Sequence, residues 1–300
     1  MKNTYEEDTR FTIQEEYPDL QQLHSMPQRR RVFRFRALPA NKPLINVILF
    51  LLTIASTWLT LGVWYSLPVI AILLAHEMGH YLMCRRYHIP ATLPFFIPFP
   101  YLNPFGTMGA MIQMRGLIPH RKALFDVGAA GPLAGLIVTI PVIYFGLQLS
   151  DIVPASDGSE GMTIILGESL VYKLLSFLAL GSIPVSYDVR LHDMAYAGWV
   201  GLFVTSLNLL PIGQLDGGHI FYSLYGRKGF KFMPLFILAL GGLTVIYYGW
   251  ALLFVLLLLL GRKHPPPLDD TTPLDPGRKI LGYIMFIIFV TCFSPTPFKF

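Results

Sequence analysis

Residues 72–84 read ILLAHEMGHYLMC, and the fold turns on why His76, Glu77 and His80 lie inside so oily a run. Ionisable groups are costly in apolar surroundings, and inside a membrane they mark function by default. His76 and His80 are four residues apart, which puts them on one face of a helix about one turn from each other. Two imidazoles so placed can ligate one metal ion. Glu77, next to the first, can reach a water there rather than the metal. The pattern H-E-x-x-H is the one in which two histidines bind zinc and the glutamate serves as general base.

The rest of the chain supports a membrane setting for that helix. Its 300 residues are 53% hydrophobic and 14% charged, with a mean hydropathy of +0.53. Soluble domains carry nearer a quarter charged residues. A net charge of +5, with no basic patch interleaved with aromatics, excludes a nucleic-acid partner. Arg29, Arg30, Arg31, Arg34 and Arg36 precede the first apolar run and read as a topology signal beside lipid headgroups. Two separated cysteines and no CxxC exclude a disulfide framework and a thiolate zinc site. No removable signal peptide is expected, and residues 1–40 read as a cytoplasmic tail before a membrane domain at 41–300.

A bilayer core of ~30 Å needs about 20 apolar helical residues. Leu44–Leu67 supplies a first span, and Pro68–Cys84 follows as a second, with the proline opening a new helix. Ala123–Leu149 and Met194–Leu210 are a third and a fourth. Residues 232–260 are too long for one span and short for two, with Gly241 and Gly242 offering a break. Ile280–Phe293 is last. The expected fold is therefore an all-α polytopic membrane protein of six spans, or seven if the long run is a helical hairpin. Arg85, Arg86, Arg121, Lys122, Arg227, Lys228 and Lys231 fall on one side if the spans alternate, which makes that side cytoplasmic. Arg262, Lys263 and Arg278 favour the hairpin version. Residues 162–185 read as an interfacial helix on the outer side.

Residues 90–116 are apolar but interrupted by five prolines, which rules out a continuous helix. Their second half, Gly106–Met114, reads as a short extended hairpin. Such backbone survives at membrane depth only where protein or a wet cavity satisfies it.

A hydrolytic zinc takes three protein ligands and leaves one position open. Asp216 is the candidate for the third, because it follows the fourth span in the turn LDGG, residues 215–218, where two glycines let the backbone bend. His219 ranks below it. The string GAAGPLAG at 128–135 reads as close helix packing, and Asp126 as a charge favouring a helix N-terminus.

HEMGH at 76–80 together with NLLPIGQLDG at 208–217 resembles the site-2 protease family of intramembrane zinc metalloproteases. The family pairs HExxH on one span with N-x-x-P-x-x-x-L-D-G on a later one. The resemblance extends through GTMGA at 106–110, DVGAAGP at 126–132 and AGWVGLFVTSLN at 197–208, so it covers about residues 44–260. It is closest to the plastid and bacterial branch that lacks an inserted PDZ domain. It implies one zinc ion held by His76, His80 and Asp216, with Glu77 as catalytic base and Asn208 near substrate or the developing oxyanion. The segment around Gly106 and Gly109 corresponds to a re-entrant loop that offers an edge to unwound substrate. The implied partners are transmembrane protein substrates and the lipid bilayer; the oligomeric state is left open. No inserted or C-terminal regulatory domain is expected.

Two alternatives stand beside this. A prenyl-protein-processing protease also places HExxH in a span but takes a later glutamate as third ligand, and Glu168 is the last in the chain. A metal transporter or scaffold predicts ionisable residues strung across the bilayer rather than one cluster. Without a recognisable transit peptide, a bacterial inner membrane with the N-terminus cytoplasmic is the expected location.

Overall fold

Polarity in the first helix runs opposite to that of a soluble protein. In α1 (Pro43–Leu61) the buried residues are Asn46, Thr53, Ser56 and Thr57, while Leu44, Val47, Leu51, Leu52, Trp58 and Leu59 are exposed. Water would demand the reverse; lipid tails accept the apolar side chains and leave the polar ones to find partners within the protein. The computed structural model describes residues 43–101, 103–154, 165–260 and 265–299. The expected tail at 1–40, its five arginines, Arg262 and Lys263 lie outside those residues.

The chain is mostly helical. After α1 come α2 (Val63–Arg86), a hairpin of β1 (Phe95–Pro98) and β2 (Thr107–Met111), and α3 (Arg121–Gln148). Then follow β3 (Asp151–Pro154), β4 (Ile165–Leu166), α4 (Leu170–Leu180), β5 (Tyr187–Arg190) and α5 (Asp193–Asn208). The chain continues through α6 (Asp216–Tyr225), a 3₁₀ segment Gly226–Phe232, α7 (Met233–Ile246), α8 (Trp250–Leu260), α9 (Pro276–Cys292) and β6 (Phe298–Lys299). Among the described residues, α1, α2 and α3 are long and apolar enough to cross a bilayer. The extended pieces form three two-stranded antiparallel sheets, β1–β2, β3–β5 and β4–β6.

The core lies where α2, α3 and α5 pack together, with Tyr65, Val69, Ile143, Leu147, Trp199 and Leu202 fully buried. Small residues set the spacing: a Cβ at Gly198 or Gly201 of α5 would run into Ile143 or Thr139 of α3. A second cluster joins Phe125 and Ala129 of α3 to Leu209, Ile220 of α6, Leu274 and Met285 of α9.

Several boundaries differ from the sequence expectation. The first two helices part at Gly62, whose φ of 83° suits glycine, and not at Pro68, which lies within the second turn of α2. The proline ring fixes φ at a helical value, and the one ladder bond it omits is to the Trp64 carbonyl, near the helix start. α7 runs through Gly241 and Gly242, and the break falls at Tyr247–Gly249. A Cβ at Gly241 would lie 3.2 Å from the Phe254 ring, so that glycine serves the close packing of α8 against α7. The hairpin is also wider than expected: Gly106–Met114 pairs with the preceding strand, Phe95 opposite Met111 and Phe96 opposite Ala110. The expected interfacial helix is confined to Leu170–Leu180, capped by Ser169, whose hydroxyl accepts from Tyr172 N at 3.2 Å.

One end of the molecule is tied by charge. Arg278 at the start of α9 donates to both Asp126 oxygens at 2.7 and 2.6 Å and to Asp275 at 2.5 Å, while Tyr87 donates to Asp126. Asp126 is thus an ion-pair partner joining α2, α3 and α9 rather than a charge at a helix N-terminus. Arg121 donates to the Ser223 carbonyl at 2.7 Å, which fixes the end of α6 beside the start of α3. The segment before α9 straps across the same end. Leu268 and Asp269 bond the Ile118 and Pro119 carbonyls at 2.9 Å, and Asp270 accepts from Tyr222 and Arg227. Asp126 and Arg278 are half-buried, so Arg278→Leu leaves the Asp126 carboxylate with the Tyr87 hydroxyl but without its counter-charge. The expected cost is about 2–3 kcal/mol, read as a lowered Tm in detergent with zinc content unchanged.

Candidate metal centre

α2 carries His76 and His80 toward α3, and both rings are buried. What lets them fit is the small-residue string. Gly128, Gly131 and Gly135 follow a spacing that lines one face of a helix. A Cβ at Gly131 would fall on the His80 ring, one at Gly135 would come within 3.3 Å of His76 Nδ1, and one at Gly128 would meet His219 Cβ. Gly79, inside HEMGH, lies so close to the Ala130 carbonyl that no side chain fits there either. The string therefore does more than bring two helices together; it forms the floor under the imidazoles.

His80 Nδ1 lies 2.7 Å from the Val127 carbonyl oxygen. A carbonyl only accepts, so Nδ1 carries the proton and Nε2 keeps its lone pair for the interior of the site. That pair faces His76 Nε2 at 3.1 Å. Asp216, the first residue of α6, brings Oδ2 to 3.3 Å from each of the two nitrogens. The turn that aims it is at Gly213, with φ 62°. Gly217 and Gly218 have a different use from the bend expected of them, since a Cβ on either would strike the carbonyls of Leu209 or Gly213.

The three donor atoms lie within 4.8 Å of one another and can hold a metal ion. Their separations of 3.1–3.3 Å match the edge of a tetrahedron with zinc–ligand bonds of 2.0–2.1 Å, which is about 3.3 Å. Two imidazole nitrogens and one carboxylate oxygen are also a usual hydrolytic zinc set. The residues present fit the ion.

Other expected residues are placed as follows. Asn208, the last residue of α5, puts Nδ2 3.2 Å from His76 Nε2. Glu77 is buried beside the trio but outside it, and the Ile112 backbone, just past β2, faces its carboxylate. Gly106 and Gly109 are not brought to the trio. Gly106 (φ 68°) packs at the hairpin tip against Thr57 and Thr60 of α1, and Gly109 (φ 93°) sits at the irregular step in β2 with open space around it. His219 is buried on Gly128, outside the trio. The Val127 carbonyl, the Ile112 amide and the role of Gly131 were not foreseen; the 128–131–135 spacing is the one signal that carried part of this.

A methyl group at Gly131 must displace the His80 ring. Gly131→Ala is therefore expected to weaken zinc binding by about 10- to 100-fold, the cost typical of disturbing a ligand's support. Competition with a zinc chelator measures it, with circular dichroism to confirm unchanged helix content. Full affinity in the variant would mean that the ring has room to retreat.

Comparison with known proteins places these residues in context. Residues 64–256 match the family described as Peptidase family M50. The chain is 32% identical over 231 residues to the "Probable zinc metalloprotease EGY1, chloroplastic" of Arabidopsis thaliana, covering 76% of this chain and 42% of that one. It is 33% identical over 231 residues to the EGY1 protein of Oryza sativa subsp. japonica, covering 76% and 39%. With "Probable zinc metalloprotease EGY2, chloroplastic" of Arabidopsis thaliana it shares 30% over 241 residues, covering 78% and 42%. The chain thus spans about two-fifths of the length of the curated relatives it matches.

Proposed function

Since this chain belongs to peptidase family M50, we propose that it is an intramembrane zinc metalloprotease that cuts peptide bonds within or near the transmembrane segments of other membrane proteins. The observation that carries the reading is the convergence of His76 Nε2, His80 Nε2 and Asp216 Oδ2 within 4.8 Å, on helices of a membrane protein. In this reading residues 41–300 are the protease domain and hold one zinc ion through those three atoms.

A zinc ion at this position supplies Lewis-acid charge that acidifies water and polarises a carbonyl. The chain's own residues do the rest. Glu77 accepts the proton of the attacking water and returns it to the departing amine as the C–N bond breaks. Asn208, aimed into the same space, donates to the substrate carbonyl as negative charge develops on its oxygen. A helical peptide bond is shielded, so substrate must be extended before attack. The β1–β2 hairpin, with Gly106 and Gly109, is the re-entrant element that takes the extended segment by strand addition. The approach of the Ile112 backbone to Glu77 supports this, because it brings the end of β2 beside the base.

Spans α1, α2, α3, α5 and α9 with one crossing by the α7–α8 segment make the architecture six-spanning, or seven-spanning if the α7–α8 pair folds back as a hairpin of two spans. The basic end carrying Arg85, Arg86, Arg121 and Arg227 faces the cytoplasm or stroma. The relatives are named as chloroplastic, which weighs against the bacterial inner membrane expected from the sequence.

The test uses purified protein in proteoliposomes with single-span substrate proteins. The expected result is one zinc per chain and release of a fragment, lost on chelation and restored by added zinc. The competing reading, a zinc transporter, predicts zinc flux into the vesicles. Flux without cleavage overturns the protease assignment.

A further inference from the structure

We propose that Asn46 and Ser56 of α1 are positioning residues that hold the two ends of β1 against α1, so that β2 is the strand edge offered to substrate. This rests on the protease reading above. Asn46 Nδ2 donates to two backbone carbonyls, Leu93 at 3.0 Å and Pro94 at 2.9 Å, immediately before β1. Phe99 N, immediately after β1, bonds the Gly106 carbonyl across the hairpin at 3.2 Å, and Ser56 Oγ seats on that pair, accepting from Phe99 N at 3.2 Å and donating to the Gly106 carbonyl at 2.5 Å. Both side chains are buried, at 6% and 4% exposure. One polar residue therefore grips each end of the strand.

The geometry of the two elements makes this possible. Ten residue steps of helix from Asn46 to Ser56 advance about 15 Å, and the five steps of extended chain from Pro94 to Phe99 cover about 17 Å. The anchors on α1 thus match the length of the strand they hold. Pro98 further depletes β1 of N–H donors, as Pro94 does the position before the strand. Tyr65 of α2 fastens the tip by donating to the Phe105 carbonyl at 2.9 Å.

β2 is different. Beside it, Arg115 N bonds the Pro90 carbonyl and Thr92 N bonds the Gln113 carbonyl, so the backbone of Gln113 and Arg115 faces the first strand. Alternation turns Ile112 and Ala110 the other way, toward the side where Ile112 meets Glu77. A segment added to that edge arrives beside the base and the three converging donors. A segment added to β1 would arrive at α1, away from them. Edge choice is thus the difference between productive and idle binding, and α1 makes it.

The experiment uses full-length protein in nanodiscs and a synthetic leucine-rich single-span peptide with a central Gly-Pro pair and one benzophenone. Photo-cross-links to the Glu77→Gln protein are expected on residues 108–112. In Asn46→Leu and Ser56→Ala they are expected to spread to residues 95–98, with zinc content unchanged. For cleavage of the same peptide, loss of these bonds should raise KM about tenfold and leave kcat within about threefold, as for an interaction made equally in ground and transition states. Ser56→Thr, which keeps a hydroxyl, should restore both the map and KM. A merely structural role would lower zinc content or kcat and would leave the map confined to β2. Cross-links on β1 in the Glu77→Gln parent, on neither strand, or unaltered in both variants overturn the proposal. If the zinc-loaded wild type leaves the peptide uncut, the protease reading fails for it, while the map still decides which edge takes the peptide.

Discussion

Glu77→Gln is expected to bind zinc as the wild type does and to cleave about 10³-fold more slowly, within the range that general bases contribute. The amide has the shape of the carboxylate, and its oxygen can face the Ile112 backbone as the carboxylate does. The three donors that hold the ion are untouched. Only the capacity to take a proton is lost. Purified variant and wild type, compared for zinc content and for fragment release, give the answer. Undiminished proteolysis by the variant sinks the mechanism.

The second large effect is at Asp216. Asp216→Ala removes the one carboxylate donor and leaves two imidazoles 3.1 Å apart. Both zinc and cleavage should go, with affinity falling by more than the roughly 100-fold typical of outer-shell losses. The fold should persist, because Gly213 and the packing of Gly217 and Gly218 on Leu209 and Gly213 set the course of α6 without the carboxylate. Stoichiometric zinc in Asp216→Ala would show that another residue completes the set, and His219→Ala in that background would then identify or exclude that histidine.

The two variants separate binding from chemistry. Glu77→Gln should be an inert but loaded protein, Asp216→Ala an empty one. If both lost zinc, Glu77 would be acting on the ligands and not on water.

How far the sequence could be read depended on the range of the forces involved. Long uncharged runs are set by the bilayer, so the helices now seen at Pro43–Leu61, Val63–Arg86 and Arg121–Gln148 were visible as periods of oil. The pairing of Asp216 with HExxH was legible because a zinc-like donor set has few ways to be completed. Boundaries set by a single backbone torsion were not legible. Gly62 ends α1 through its positive φ, whereas Pro68 carried the stronger textual signal and proved compatible with a helix already begun. Gly241 looked like a break because glycine is flexible, yet its use is to admit Phe254. The partner strand Phe95–Pro98 was hidden by its prolines, which argue against a ladder unless something else supplies the missing bonds. Asn46 and Ser56, forty residues and more upstream, supply them. Asp126 looked like a dipole charge because its partner, Arg278, lies 152 positions away.

That α1 precedes the hairpin in the chain has a consequence for biogenesis. A proline-broken, extended segment released into lipid would expose carbonyls with nothing to bond them. Here the helix bearing Asn46 and Ser56 leaves the ribosome first, and its polar stripe is already in the bilayer when residues 93–106 arrive. The order of synthesis thus delivers the donors before the acceptors. A circular permutant that moved α1 to the end of the chain would reverse that order, and should yield hairpins caught by quality control although every contact of the finished molecule is still encoded.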